Sequence, residues 1–311
     1  MQNNEGNLIW MNGYFVPWHK AQIHVMTHAL HYGTAIFEGI RCYNTPTGLA
    51  IFRLRDHIER LLNSGKIYFM KIKYSRQELE EAVIESIKKN KINECYVRPI
   101  AYFDYGKMGI NPLNNSVSIA ISVWNWDEYL NSNNSNLGIK VMISGWIRLD
   151  KRSMPLHAKA TANYANSALA RMEAIKAGFD EAIMLNSDGN IIEASGENIF
   201  IIKDNILITP PTSSGALKGI TRDTILTLAN QYDIKNEIRD ISKDELYLSD
   251  EVFLSGTAAE IKSVREIDNR TIGDEKKTYP VTNKLKNLFN DLVMGKNKNY
   301  SKKWLKYIDE T

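Results

Sequence analysis

The chain has 311 residues, 43% of them hydrophobic and 24% charged, a balance that excludes wholesale disorder and a membrane-embedded protein. Its 39 basic and 36 acidic side chains give a net charge of +3, too small an excess for the electrostatic footprint of a nucleic-acid binder. Two cysteines, Cys42 and Cys95, are too few for a disulfide framework, and neither a run of about 18 apolar residues nor a basic-then-apolar N-terminus appears, so a cytoplasmic protein is expected.

The length predicts two domains. Residues 7 to 16 and 34 to 43 read as strands, followed by a helix from about Arg55 to Gly65. A second helix is expected from Ser75 to Asn90, where Ser75 and Glu78 form a capping box ahead of Leu79, Val83, Ile84 and Ile87. Strands at 93 to 103 and 116 to 126 complete a smaller N-terminal α/β domain over residues 1 to 130. The segment NSNNSN holds no apolar residue, so a linker is expected at 131 to 137. A larger C-terminal α/β domain, 138 to 311 and carrying Lys159, then opens with a strand near 138 to 145 and a helix near 160 to 178. A hairpin follows, centred on Ser187-Asp188-Gly189. Strands at 197 to 209 and 251 to 255 and helices at 220 to 231 and 280 to 294 follow. The tail places Trp304, Leu305 and Ile308 at helical spacing, which predicts a terminal helix with one docked face.

Chemistry concentrates around Lys159, in the small-residue run HAKATANYANSALA. An amine held among Ala158, Ala160 and Ala162 is desolvated, which favours its neutral, nucleophilic form. Tyr164 stands five residues on, and Glu193 opens EASGENIF on a strand after the Asp-Gly turn. A lysine that forms a Schiff base, a phenol that hydrogen-bonds an aromatic oxygen and a carboxylate that keeps a ring nitrogen protonated are together what pyridoxal phosphate requires. Each alone has an ordinary alternative, a solvated lysine or an exposed strand carboxylate.

A phosphate needs N–H donors, a hydroxyl and a cation. The string SSGALKGITRD leads into a helix whose first turn presents the backbone of Ile220 and Thr221. SGTAAE offers the Thr257 hydroxyl beside the small Ala258 and Ala259, and Arg60 in DHIERLLNS is the candidate cation. No nucleotide P-loop string is present. His24, His28 and His31 would align on a helix face, but no nearby carboxylate completes a ligand set, so no metal is expected.

The strings HALHYGTAIFEGIR, DHIERL, YVRP, MGINP, AKATANY, EASGENIF, GITRD and SGTAAEI, in this order, resemble a branched-chain amino-acid aminotransferase. The resemblance runs from about Ile9 to Thr271. It implies a two-domain fold type IV pyridoxal phosphate enzyme, similar to the D-amino-acid aminotransferase architecture, with the cofactor at the domain interface. By this resemblance Lys159 carries the Schiff base, Glu193 pairs with the pyridine nitrogen and Tyr164 faces the ring hydroxyl. Arg60, Ile220, Thr221 and Thr257 form the phosphate cup. Phe37, Gly39, Tyr96, Arg98, Trp126, Tyr129, Ala258 and Ala259 line the substrate pocket, with Tyr32 and Ile110 reaching over from a partner subunit.

The implied activity is reversible amino transfer between L-leucine, L-isoleucine or L-valine and 2-oxoglutarate, in branched-chain amino-acid biosynthesis. The implied assembly is at least a homodimer, with a trimer of dimers as the larger form. On strands, Phe37 and Gly39 share one face and Tyr96 and Arg98 another. Phe37, Trp126 and Tyr129 would offer an apolar wall for a branched side chain, and Arg98 would meet the distal carboxylate of glutamate or 2-oxoglutarate. Gly39 would leave space for the substrate. Ala162 stands where most relatives are expected to have glycine. Within the same fold a D-amino-acid aminotransferase and an aminodeoxychorismate lyase are the alternatives, though those usually carry a YGDG-like string where this chain reads YGTAIFEGIR. A cofactor-free binding module would leave Lys159, Tyr164 and Glu193 without a common purpose.

Overall fold

The computed structural model describes residues 6–125, 138–273 and 278–308. The expected linker at 131–137 lies outside them, as do Trp126 and Tyr129. The described residues group into two units, one within Met1–Asp127, Ala158–Ala162 and Asp291–Thr311, the other within Glu128–His157 and Asn163–Asn290. Lys159 is therefore grouped with the first unit.

In the first unit the expected strand at 7 to 16 is a hairpin of β1 (Leu8–Met11) and β2 (Tyr14–Pro17). Asn12 and Gly13 both take positive φ, the backbone that a two-residue hairpin turn requires. A short helix α1 (His28–Tyr32) ends at Gly33, whose left-handed φ of 65° terminates it. The run from 34 to 43 is likewise divided, into β3 (Ala35–Phe37) and β4 (Ile40–Thr45), with Glu38 and Gly39 between them. β5 (Gly48–Phe52), α2 (Leu54–Ile67) and α3 (Arg76–Asn90) follow. The capping box of α3 is present: Glu78 N–H donates to Ser75 Oγ and Ser75 N–H to the Glu78 carboxylate. β6 (Cys95–Phe103) and β7 (Val117–Asn125) pair antiparallel along nine residues. Ile119, Ile121 and Val123 of β7 enter the core with Val97 of β6 and Ile58 and Leu61 of α2. Period-2 alternation thus turns one face of the sheet to the helices.

The second unit begins at β8 (Ile139–Ile143), and α4 (Thr161–Lys176) leads to β9 (Glu181–Leu185) and β10 (Ile191–Ala194). The expected strand at 197 to 209 is two, β11 (Asn198–Lys203) and β12 (Ile206–Thr209), because Asp204 and Asn205 adopt positive φ and turn the chain. After these come α5 (Ile220–Gln231), β13 (Asn236–Ile238), α6 (Lys243–Tyr247), β14 (Glu251–Gly256), β15 (Glu260–Ile267), β16 (Arg270–Thr271) and α7 (Pro280–Val293). The sheet order β10-β9-β8-β15-β14-β11 closes on itself, since β10 also pairs β11 through Glu193 and Asn198. Ile139, Val141, Ile183, Ile199, Ile201, Val252, Leu254 and Val264 belong to the packed core of this barrel. A register shift between Ile191 and Glu193 marks a bulge just before the closing pair, a device that re-aims a side chain.

The tail departs from the expected helix. A single turn, α8 (Ser301–Trp304), gives way to β17 (Leu305–Tyr307), which pairs β5. Arg53 N–H donates to Trp304 O and Ile308 N–H to Leu49 O, so the open edge of β5 gains backbone partners that a docked helix would not supply. Among the described residues, no helix is long and apolar enough to cross a membrane.

Candidate active site

In the first unit the segment around Lys159 is stitched to β3. Phe37 N–H donates to Lys159 O, Lys159 N–H donates to Ser64 Oγ of α2 at 3.1 Å, and Ala160 bridges Ile36. Thr161 Oγ1 then donates to Gly33 O and Ala35 O. Backbone bonds on both sides of the lysine thus fix where its side chain starts. Lys159 Nζ lies 5.0 Å from the centre of the Phe37 ring. Burial, and next the Arg60 cation, pull the amine from 10.5 down to about 8.

Phe37, Tyr96 and Arg98 converge rather than occupying separate faces. The Arg98 guanidinium carbon sits 4.8 Å from the Phe37 ring centre and 5.4 Å from that of Tyr96, with Trp124 at 6.0 Å. Phe37 ends β3, which pairs β6, and this brings its ring beside the β6 residues. Arg98 Nε is buried and has no hydrogen-bond partner among the described residues. A cation walled by aromatic rings with a donor still unmet is suited to a carboxylate inside an otherwise apolar pocket. Arg60, on α2, forms a two-point ion pair with Glu38, Nε to Oε1 at 2.6 Å and Nη2 to Oε2 at 2.8 Å.

The second unit holds the other group. Glu193 is 4% exposed, not an exposed strand carboxylate, and its Oε1 lies 2.7 Å from Arg148 Nε. Its Oε2 accepts from Leu217 N–H at 3.0 Å. Arg148 also donates to Ser167 Oγ on α4. The carboxylate is thus held by a guanidinium and a backbone N–H. α5 begins at Ile220 after Gly219 with no side-chain cap, and Thr221 is buried in its first turn. A Cβ at Gly219 would run into Asn198 Oδ1, and Asn198 also donates to Leu217 O. The closing residue of the barrel therefore holds the loop that leads to this helix end. Thr257, Ala258 and Ala259 form the half-buried turn between β14 and β15, and Tyr164 is half-buried on α4.

The model of the class IV amino-transferase family matches residues 35–267. The branched-chain-amino-acid aminotransferase of Pseudomonas aeruginosa is 44% identical over 296 residues, covering 95% of each chain. This chain belongs to the class IV aminotransferases. The crystal structure of the Escherichia coli branched-chain amino acid aminotransferase superposes with a TM-score of 0.95 at 42% identity, covering 98% of this chain and all of that one. The Thermobaculum terrenum branched-chain amino acid aminotransferase in its PLP form gives 0.90 at 32% identity over 99% of this chain. The mixed α/β architecture is that of the fold type IV pyridoxal phosphate enzymes.

Several residues of this aminotransferase site were invisible to sequence reasoning. Glu38, His57, Trp124 and Arg148 each support an expected residue from a distant segment, and no spacing rule links them. Glu38 left one trace, a carboxylate inside the apolar run AIFEGI. Glu197, buried next to the barrel seam, bonds to Glu181, which also pairs with Arg171. Burial, and next the Glu181 charge, push the Glu197 carboxyl well above its ordinary range. Of the three histidines weighed as ligands, only His28 and His31 lie on α1. His28 uses Nδ1 with Thr34 and Nε2 with Gly109 O, and His31 Nε2 bonds to Val25 O.

Gly33 gives Ala162 its room: a Cβ at Gly33 would lie 3.1 Å from the Ala162 methyl. The space at Gly39 is taken up by the Tyr96 hydroxyl, which a Cβ there would strike. Gly39→Ala is therefore expected to displace the Tyr96 ring. It should cost about 1–3 kcal/mol of stability, read by denaturant titration, and raise KM for leucine more than it lowers kcat. An unchanged KM would separate Gly39 from the substrate pocket.

Proposed function

We propose that this aminotransferase moves the amino group of L-leucine, L-isoleucine or L-valine to 2-oxoglutarate, yielding the branched 2-oxo acid and L-glutamate. The observation that carries the reading is the Lys159 amine 5.0 Å from the Phe37 ring centre, beside an aromatic wall that also holds Arg98. Rings of Phe37, Tyr96 and Trp124 suit an aliphatic side chain, while the unmet Arg98 donor suits the distal carboxylate of the second substrate. One pocket then serves both half-reactions.

Pyridoxal 5′-phosphate, the family's cofactor, supplies the aldehyde carbon that exchanges the amino group and an aromatic ring that stores an electron pair. The residues fit it. Lys159 would hold it through its amine. Once released, the amine takes the proton from the substrate α-carbon as general base and returns it as general acid, and its depressed pKa keeps an appreciable neutral fraction near pH 7. Glu193, paired with Arg148, would hold the protonated ring nitrogen. Tyr164 donates to the ring oxygen. Arg60, the α5 N-terminus at Ile220 and Thr221, and the Thr257 hydroxyl bind the phosphate, as a helix end without a side-chain cap favours. Gly39, Trp126, Tyr129, Ala258 and Ala259 complete the substrate wall.

The reading extends to assembly and location. Leu30, Tyr32, Tyr105, Ile110 and Leu113 are exposed apolar residues of α1 and the loop after β6, and Ile110 is 85% exposed. His28 Nε2 ties the two segments together at Gly109 O. A cluster of this kind suits a second copy of the chain, with Tyr32 and Ile110 entering its substrate pocket. The enzyme acts as at least a homodimer in the cytoplasm, in branched-chain amino-acid biosynthesis.

An absorbance scan of the purified holoenzyme tests the function. L-leucine should convert the band of the lysine-bound cofactor to that of its amine form, and 2-oxoglutarate should restore it. A response to D-alanine alone would move the assignment to a D-amino-acid aminotransferase, and a band that neither amino acid changes would favour a lyase.

A further inference from the structure

We propose that Glu38 is a positioning residue, aiming the Arg60 guanidinium and offsetting its charge beside Lys159, with His57 holding the Glu38 carboxylate in place. The proposal rests on the reading above, in which Arg60 binds phosphate and Lys159 is the covalent anchor.

Glu38 sits in the break between β3 and β4, fully buried, and its N–H donates to Pro99 O on β6. Its side chain is therefore launched from a fixed backbone. Three donors meet its two oxygens: Arg60 Nε on Oε1 at 2.6 Å, and Arg60 Nη2 at 2.8 Å and His57 Nδ1 at 2.7 Å on Oε2. His57 and Arg60 lie three residues apart on α2, so one turn of helix presents both. Two parallel bonds from Nε and Nη2 fix the plane of a guanidinium, which one bond cannot do. Burial pulls the Glu38 carboxyl upward, but Arg60 and His57 together hold it far below the usual carboxylate range. Burial keeps His57 below its ordinary value, so it serves as a neutral Nδ1–H donor.

The charged and titratable groups around Lys159 come from three places: Glu38 after β3, Arg60 and His57 on α2, and Tyr96 and Arg98 on β6. Beyond burial, Arg60 and Arg98 push the amine toward neutrality, while Glu38 and Tyr96 pull it back. Glu38 therefore has two separable effects. Its geometry aims Arg60, and its charge limits how far Arg60 acidifies Lys159.

The experiment uses cofactor-free wild type, Glu38→Gln and Glu38→Asp. Each is titrated with pyridoxal 5′-phosphate and with pyridoxal, which lacks the phosphate, and the pH midpoint for capture of pyridoxal by Lys159 is recorded. Glu38→Gln should lose roughly tenfold or more of the preference for the phosphorylated aldehyde, and its midpoint should fall. Glu38→Asp keeps the charge on a shorter arm, so it should lose preference while its midpoint stays near wild type. Should Glu38→Gln fail to fold, the preference of Glu38→Asp decides alone. Wild-type preference and midpoint in the folded variants, even with lowered thermal stability, would reduce Glu38 to a structural role and overturn the proposal. If wild type shows no capture, or Lys159→Ala captures equally, the functional reading falls and this proposal with it.

Discussion

Lys159→Ala is expected to abolish the absorbance of the lysine-bound cofactor and to lower turnover by at least ~10³-fold, since covalent anchor and proton carrier are lost together. Single-turnover mixing with L-leucine checks it, and full activity in the variant would end the assignment. A second readout separates chemistry from folding. Because the Lys159 pKa is depressed from 10.5 to about 8, the native cofactor-free protein binds fewer protons than the unfolded chain between those values. Stability should therefore rise with pH across that window. Below about pH 8 the buried ammonium persists in the native state and costs at most ~3 kcal/mol. Lys159→Met should remove that cost near pH 7 and flatten the profile from 8 to 10.5, as denaturant midpoints of the cofactor-free protein would show.

Glu193→Gln is the second large effect. The substitution keeps the shape and an acceptor for Leu217 N–H but removes the charge that pairs with Arg148 at 2.7 Å and would hold a protonated ring nitrogen. Loss of a buried charge-assisted bond of about 3 kcal/mol corresponds to ~10²-fold in turnover. Arg148, 5% exposed, would be left as a buried cation short of its partner, so thermal stability should fall as well. The double variant Glu193→Gln with Arg148→Met should recover stability without recovering turnover. Recovery of both would mean that Glu193 serves the fold and not the cofactor.

What the sequence made legible was local. The capping box of α3 depends on residues three apart, the β6 and β7 strands on period-2 alternation, and the α5 start on the SSGALKG loop that leads into a helical run. Lys159, Tyr164 and Glu193 stood out only together, as the trio that pyridoxal phosphate requires, since each alone has an ordinary surface alternative. The supporting contacts were not legible. Arg148, whose N–H donates to Leu185 O at the end of β9, reaches Glu193 on the neighbouring β10, and Glu38 meets Arg60 across a strand break and a helix. Such pairings follow from tertiary register, which no single-chain period encodes. Turns were missed where Asn12-Gly13 and Asp204-Asn205 sit inside otherwise continuous apolar runs. The tail was misread because Trp304, Leu305 and Ile308 suit a helix by spacing, while the open edge of β5 decided in favour of a strand.

The pairing of β5 with β17 joins segments more than 250 residues apart in the chain, with the second unit's residues made between them. During synthesis the earlier strands emerge first, yet their sheet keeps an open edge at β5 until residues 305–307 have left the ribosome. An unpaired edge is a template for unwanted strand addition. The first unit therefore reaches its final hydrogen-bonding only after the whole second unit has been made, a long-range closure of the kind that slows folding and lengthens the interval of exposure to aggregation.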